Sequence, residues 1–266
     1  MDVRYFYQLH CFADPDFYDA PECWDDARSR FSLAHQVPPA GWSRFEEGVW
    51  VGLHPQDVQL PWQGWKIHIS ACLDNAEEVL GIVWDYCASR RISFKFLRSR
   101  GLLLITNSKY GDRASSGKFC TLYPVGEAEL ERTLADLATK LDGQRGPYIL
   151  SDLRWASGPV YVRYGGFGRR YCTDETGELV LAVAGPDGRL VPDVRRPGFE
   201  VPSWVEVPAF LAERIRAGES EPPPDFPYEI EEPLHFSNGG GVYLARDRQT
   251  GQQVVLKEAR PFAGLD

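Results

Sequence analysis

Residues 65–95 constrain the fold more than any other stretch of the chain. Read as a strand, Trp65-Lys66-Ile67-His68-Ile69 puts Lys66 and His68 on one face and Ile67 and Ile69 on the other, because strand side chains alternate with period two. One face is then apolar and the other cationic. Asp74-Asn75-Ala76-Glu77 has the spacing of a capping box, and Leu80, Val83, Trp84 and Cys87 recur at helical intervals. A helix is therefore predicted to return the chain to a second strand over residues 91–96, in which Lys95 points away from Phe94 and Phe96. If the two strands pair, Lys66, His68 and Lys95 share one surface.

At 266 residues the chain can bury a substantial core, and domain-size priors allow one domain plus part of another. A formal net charge of -9 argues against a nucleic-acid partner for the chain as a whole. It leaves room for a local basic pocket, since Arg and Lys are plentiful between Lys66 and Arg170. No apolar run approaches the roughly 20 residues that span a bilayer, and Met1-Asp2-Val3-Arg4-Tyr5 is not a signal peptide, so a cytoplasmic protein without a membrane partner is expected. Cys11, Cys23, Cys72, Cys87, Cys120 and Cys172 form no CxxC pair, which favours reduced thiols over a metal site or disulfide framework.

Along the rest of the chain, Tyr5-Phe6-Tyr7 reads as the opening of a strand and residues 37–41 as a loop. Trp42, Trp50, Trp62 and Trp65 read as packing residues of the core or its rim. Residues 97–106, with the run Leu102-Leu103-Leu104-Ile105, read as a buried strand. The polar loop 107–118 carries Lys109, Arg113 and Lys118, with glycines for close backbone approach. Residues 119–123 follow as a strand, and Leu130, Leu134, Leu137, Ala138 and Leu141 mark one face of a helix that Gly143 ends. Residues 160–164 form a strand in which Tyr161 and Arg163 face together, and residues 179–184 and 190–194 form a hairpin about Pro186-Asp187-Gly188. A short helix over residues 210–216 closes this domain, and the stiff, acidic, proline-rich segment 217–227 is a linker.

Beyond the linker, Ser237-Asn238-Gly239-Gly240-Gly241-Val242, then Thr250-Gly251 and Val254-Val255-Leu256-Lys257, resembles the opening of a protein kinase: a glycine-rich strand-turn-strand followed by a strand bearing a phosphate-contacting lysine. The resemblance makes Gly239, Gly240, Gly241 and Lys257 an incomplete ATP-binding set. The sequence ends at Asp266, before the residues that pair with Lys257 and hold metal, so no kinase activity is expected of residues 1–266.

A kinase start preceded by a Lys-x-His strand is similar to the N-terminal part of class III and class IV lanthipeptide synthetases, in which a phosphoserine/phosphothreonine lyase domain precedes a kinase and a cyclase. The first part also resembles the type III effector phosphothreonine lyases. The likeness is carried by Lys66-Ile67-His68, Phe94-Lys95-Phe96, residues 113–123, Ser151-Asp152-Leu153-Arg154 and Tyr161-Val162-Arg163-Tyr164. It implies an α+β fold with a mixed, largely antiparallel sheet and packed helices over residues 1–216, the linker 217–227, and a partial kinase N-lobe over 228–266. The implied reaction is elimination of phosphate from a phosphorylated precursor peptide, with no cofactor; ATP and Mg serve only the kinase of the full-length protein.

The residue types suit that chemistry. A lysine that takes an α-proton must be partly neutral, and burial or neighbouring positive charge drives it that way; Lys95 matches the family's base. Histidine titrates where a leaving phosphate can be protonated, and His68 matches the general acid. Lys66 and Arg113 match phosphate-binding positions, Arg154 and Arg163 complete the cradle, and Tyr123 matches a tyrosine lining the site. Lys109 and Lys118 are looser candidates. In the effectors an arginine follows the Tyr-x-x-Tyr, where this chain has Gly165, so Arg163 supplies that charge from a displaced position. Two other readings remain: a phosphopeptide-binding module without chemistry, and a domain that regulates the kinase.

Overall fold

The computed structural model describes residues 27–109, 111–194, 198–218 and 226–264. The expected strand at Tyr5-Phe6-Tyr7, Cys11, Cys23 and the central part of the linker lie outside the described residues. The fold is α+β. Its main sheet has seven strands, β1 (Trp42–Glu47), β2 (Trp50–Pro55), β3 (Gln63–Ile69), β4 (Ser93–Leu97), β5 (Cys120–Tyr123), β6 (Leu153–Arg154) and β7 (Val160–Gly166). They lie in the order β1-β2-β4-β5-β3-β7-β6, and every neighbouring pair is antiparallel.

Alternation along the strands separates the two faces. Val51, Leu53, Ile67, Ile69, Phe94, Phe96, Leu122, Val160 and Val162 are buried on one side, where they pack against helices α1 (Ala76–Arg90) and α3 (Glu127–Lys140). Trp84 of α1 meets the rings of Phe94 and Phe96 edge-on at 5.7 and 6.3 Å, and Leu130, Leu134 and Leu137 of α3 join the same cluster. Burial of this surface is what holds the helices to the sheet, at roughly 1.5–3 kcal/mol per large apolar side chain.

The helix predicted after residue 75 is present, but not the capping box. Asn75 precedes α1 without a side-chain cap bond; its Oδ1 accepts from the Cys72 N–H, and Asp74 pairs with Arg145. The helix ends at Arg91 in the left-handed conformation, φ 58°.

Two further expectations change. Residues 97–106 are not a strand: after Leu97 the chain enters helix α2 (Arg100–Asn107), whose N-cap Ser99 accepts a hydrogen bond from the Leu102 N–H. An apolar run of four residues has no period long enough to distinguish the two states, and the serine cap decides it. Nor do β3 and β4 pair. The loop 107–118 returns the chain so that the Phe119 N–H donates to Ile69 O at 2.9 Å and the Leu97 N–H to Phe119 O at 3.0 Å, which seats β5 between them.

The hairpin expected about Pro186 forms a second sheet, β8 (Tyr171–Thr173), β9 (Leu179–Ala184) and β10 (Leu190–Pro192), and helix α4 (Ala209–Gly218) buries Leu211 in the main core. The C-terminal part is a third antiparallel sheet, β11 (Tyr228–Ser237), β12 (Gly240–Asp247) and β13 (Gln253–Lys257). Among the described residues no helix is long and apolar enough to cross a membrane.

The cap at Ser99 gives a direct check on the α2 assignment. Ser99→Ala should lower unfolding free energy by about 1 kcal/mol in urea titrations. An unchanged midpoint would speak against the helix start.

Candidate active site

The antiparallel register draws residues far apart in sequence into one row. Lys95 stands opposite Thr121, Thr121 opposite His68, His68 opposite Tyr161 and Tyr161 opposite Arg154. All five project from the face opposite the α1–α3 core. With neighbouring strands ~4.8 Å apart, the backbones at Lys95 and His68 are about 10 Å apart, a gap that two long side chains can close over Thr121.

His68 is the centre of the row. It is 4% exposed, and its Nδ1–H donates to Asp152 Oδ2 at 2.5 Å. Asp152 is fully enclosed; its Oδ1 accepts from the Ser151 hydroxyl at 2.7 Å and lies 4.0 Å from Lys118 Nζ. Burial pushes the imidazole well below its ordinary value, the Asp152 carboxylate opposes this by charge and hydrogen bond, and Lys118 and Lys66 push it further down. Burial alone would raise the Asp152 carboxyl, but His68 and Lys118 hold it below the usual carboxylate range. The pair is therefore a neutral imidazole on an ionised carboxylate, with Nε2 left for the site.

A second group of cations adjoins it. Lys66, 6% exposed, stands opposite Arg163 and donates from Nζ to Gly166 O at 2.9 Å. Arg163 is buried too, paired with Asp193 and donating to Val194 O at 3.0 Å. A cavity of about 170 Å³ lies on that side, lined among others by Arg163, Asp193, Glu200 and Trp204. Gly165 matters here through what it lacks: a Cβ on it would fall 2.6 Å from Arg163 Nη1 and 3.2 Å from Lys66 Nζ. The absent side chain lets both cations pack directly over the backbone at this position.

The remaining predicted residues are spread more widely. Lys95 is half-buried, its Nζ 4.5 Å from the centre of the Trp50 ring, so Trp50 packs as expected but beneath a functional candidate. Tyr123 is half-buried against Phe167, ring centres 5.0 Å apart. Arg154 turns its guanidinium to the carbonyls of Ser157 and Gly158. Arg113 lies over the Phe236 ring at 4.8 Å, at the seam with the C-terminal sheet, whereas Lys118 reaches the His68–Asp152 pair. Lys109 is exposed. Gly239, Gly240 and Gly241 pack on the chain itself: a Cβ on Gly240 would fall 2.0 Å from Glu258 O, and Lys257 is exposed at the end of β13.

Sequence reasoning gave no role to Asp152, Thr121 or Tyr161. Asp152 had one visible signal, a carboxylate between Ser151 and Leu153 ahead of a cationic strand pair. Thr121 and Tyr161 become neighbours of His68 only through strand order. Burial, above all, raises the Tyr161 phenol to about 12, so it is a neutral hydrogen-bonding group beside the imidazole.

Fold and site together define an α+β protein with a buried cluster of basic side chains around a carboxylate-held histidine, with a half-buried lysine on the same face of the sheet. The family described as "RamC, N-terminal domain" matches residues 30–221, and the chain belongs to it. It is 57% identical over 263 residues to the "Probable SapB synthase" of Streptomyces coelicolor (strain ATCC BAA-471 / A3(2) / M145), an alignment covering 97% of this chain and 28% of that protein. Among solved structures it is similar to the type III effector/phosphothreonine lyase OspF from Shigella flexneri, with 16% identity, a TM-score of 0.39, and 62% of this chain and 89% of that one covered. It is also similar to the Chromobacterium violaceum VirA (SpvC) phosphothreonine lyase effector, with 17% identity, a TM-score of 0.40, and 62% and 87% covered.

Because folding lowers the proton affinity of His68, the unfolded chain binds a proton below the ordinary value of 6.5 that the folded chain does not. Its contribution to stability is complete above that pH and declines beneath it; Asp152, also lowered, adds loss only below its ordinary 3.8. Urea stability should thus fall between about pH 7 and pH 5, by up to about 1.4 kcal/mol per unit from this group. His68→Gln should flatten that slope, and an identical slope in the variant would refute the linkage.

Proposed function

We propose that the chain is a phosphoserine/phosphothreonine lyase domain that eliminates phosphate from a phosphorylated side chain of a ribosomally made precursor peptide, leaving dehydroalanine or dehydrobutyrine. The observation that carries the reading is the register Lys95–Thr121–His68, which places an amine and a carboxylate-held imidazole on one face of the sheet, with buried Lys66 and Lys118 near the imidazole.

The roles follow from the placement. A phosphate carrying about −1.5 to −2 charges near neutrality is held by Lys66, Lys118 and Arg163. Its charge reverses the electrostatic balance at His68: an anion beside the imidazole favours the imidazolium, and Asp152 stabilises that cation through Nδ1–H. Lys95, as the neutral amine, takes the α-proton. The released electron pair forms the Cα=Cβ bond, the Cβ–O bond breaks, and the proton on His68 Nε2 passes to the bridging oxygen of the departing phosphate. No water is consumed, and Lys95 and His68 regain their starting states by proton exchange. Lys66, Lys118 and Arg163 hold charge that grows on the leaving group, an effect of roughly 2.7–4 kcal/mol for a single well-placed donor.

Identity to the SapB synthase supports a place in lanthipeptide biosynthesis. Since the chain spans 28% of that relative, the kinase that phosphorylates the precursor and the cyclase that consumes the dehydrated product are proposed to follow in the longer protein. Residues 228–266 are read as the start of the kinase N-lobe. Gly239, Gly240, Gly241 and Lys257 would hold ATP there with Mg, while the elimination itself uses no cofactor. This reading is favoured over a passive phosphopeptide binder because Lys95 lies beyond the phosphate cradle, where binding does not need it but proton abstraction does.

With a synthetic phosphoserine peptide, the 266-residue chain should release phosphate and lower the peptide mass by that of phosphoric acid; a binder would do neither. Lys95→Ala should reduce turnover by about 10²–10⁴-fold while peptide affinity stays within a few-fold. Undiminished turnover would remove Lys95 as the base. Gly165→Val, which would displace the Lys66 and Arg163 side chains packed over that position, should raise KM about tenfold or more with a smaller change in kcat, and an unaltered KM would exclude these two cations as the phosphate seat.

A further inference from the structure

The loop 107–118, which carries Arg113 and Lys118, is bonded within itself, largely around Asp112, and is tied at both ends to the C-terminal segment. Asn238, at the β11–β12 turn, is fully buried. Its Nδ2 donates to Ser108 O and Gly111 O, both at 2.9 Å, with Thr106 O at 3.4 Å, and its backbone N–H donates to Lys109 O at 3.2 Å. One side chain from well over a hundred residues away thus gathers the carbonyls at the start of the loop. The Gly264 N–H donates to Asn107 O at 2.8 Å, and Asn107 Oδ1 in turn accepts from the Gly117 N–H at 2.9 Å.

Arg260, just beyond β13, fixes the other end. It is 6% exposed, and it donates from Nη1 to Asn238 O at 2.9 Å and from Nη2 to Ser116 Oγ at 3.3 Å and to Tyr148 O. A buried guanidinium is costly unless its donors are used; here the two terminal nitrogens tie the turn to the loop two residues before Lys118, while Nε has no hydrogen-bond partner. Lys118 then donates to Ala114 O at 2.7 Å and stands 4.0 Å from Asp152. The chain of contacts runs without a break from the glycine-rich turn to the His68–Asp152 pair.

From this geometry we infer that Asn238 and Arg260 are positioning residues of the lyase site: the C-terminal sheet holds loop 107–118 so that Lys118 meets the His68–Asp152 pair and Arg113 is fixed at the rim. The inference rests on the lyase reading and extends it. The C-terminal segment, which resembles a kinase start, is a working part of the elimination site and not only the start of a separate lobe.

The test uses Asn238→Ala and Arg260→Met in the whole 266-residue chain, with kinetics on the phosphoserine peptide and amide hydrogen exchange resolved over residues 107–118 and over β3. Each variant should lose about tenfold or more of its exchange protection in the loop with β3 unchanged, and show a KM raised about tenfold, equivalent to about 1.4 kcal/mol. Ser116→Ala, which removes one acceptor of Arg260, should give a smaller change in the same direction and covers the case in which the buried substitutions prevent folding. Unchanged loop exchange and KM would overturn the inference. So would protection lost equally in loop and β3, which marks a merely structural role. A wild-type chain that releases no phosphate would overturn the lyase reading and the catalytic part of this one, while the exchange comparison would still decide whether the turn holds the loop.

Discussion

The contact on which the rest depends is the one between His68 and Asp152. The polar face of β3 buries Lys66 and His68, the neighbouring loop buries Lys118 and β7 buries Arg163. Cations withdrawn from water at this density are tolerated only with carboxylates among them. Asp152 supplies that charge from the segment leading into β6, meeting the imidazole at 2.5 Å and Lys118 at 4.0 Å. Asp193 does the same for Arg163.

The sheet makes such a cluster possible at low cost. Its apolar face is closed by α1 and α3, so the strands are held rigidly by hydrophobic burial while the opposite face is left for polar residues. Antiparallel pairing then converts sequence positions as distant as Lys95 and Arg154 into members of one row. A site built on strands of a packed sheet keeps its geometry better than one built on loops alone. The loop that does contribute, 107–118, is held from outside by Asn238 and Arg260.

The two groups to which the proposed elimination assigns proton transfer sit in different surroundings on one face of the sheet. His68 is enclosed and tied to a carboxylate, whereas Lys95 is half-buried against the Trp50 ring. Under the proposed roles, an acid loaded by the ligand's own charge is best hidden until the ligand arrives, and a base that presents a neutral amine needs an exit for its proton. Thr121 between them sets the spacing without adding charge.

By itself the sequence determined which residues face together within a strand: the alternation in Lys66-Ile67-His68 and Phe94-Lys95-Phe96, and in Tyr161-Val162-Arg163, is a local property that survives in the structure. It determined the helical face of α3 and the hairpin of β9 and β10 for the same reason. It could not decide that residues 100–107 coil, because four apolar residues carry no usable period, nor that Asn75 would bond Cys72 instead of capping α1. Strand order, which inserts β5 between the two cationic strands, and the partners Asp152, Asn238 and Arg260 were decided only by tertiary structure. Side-chain direction is written in a residue's immediate neighbours, whereas the identity of the group it meets depends on contacts 84 to 144 residues away in the chain, whose closure no local pattern encodes.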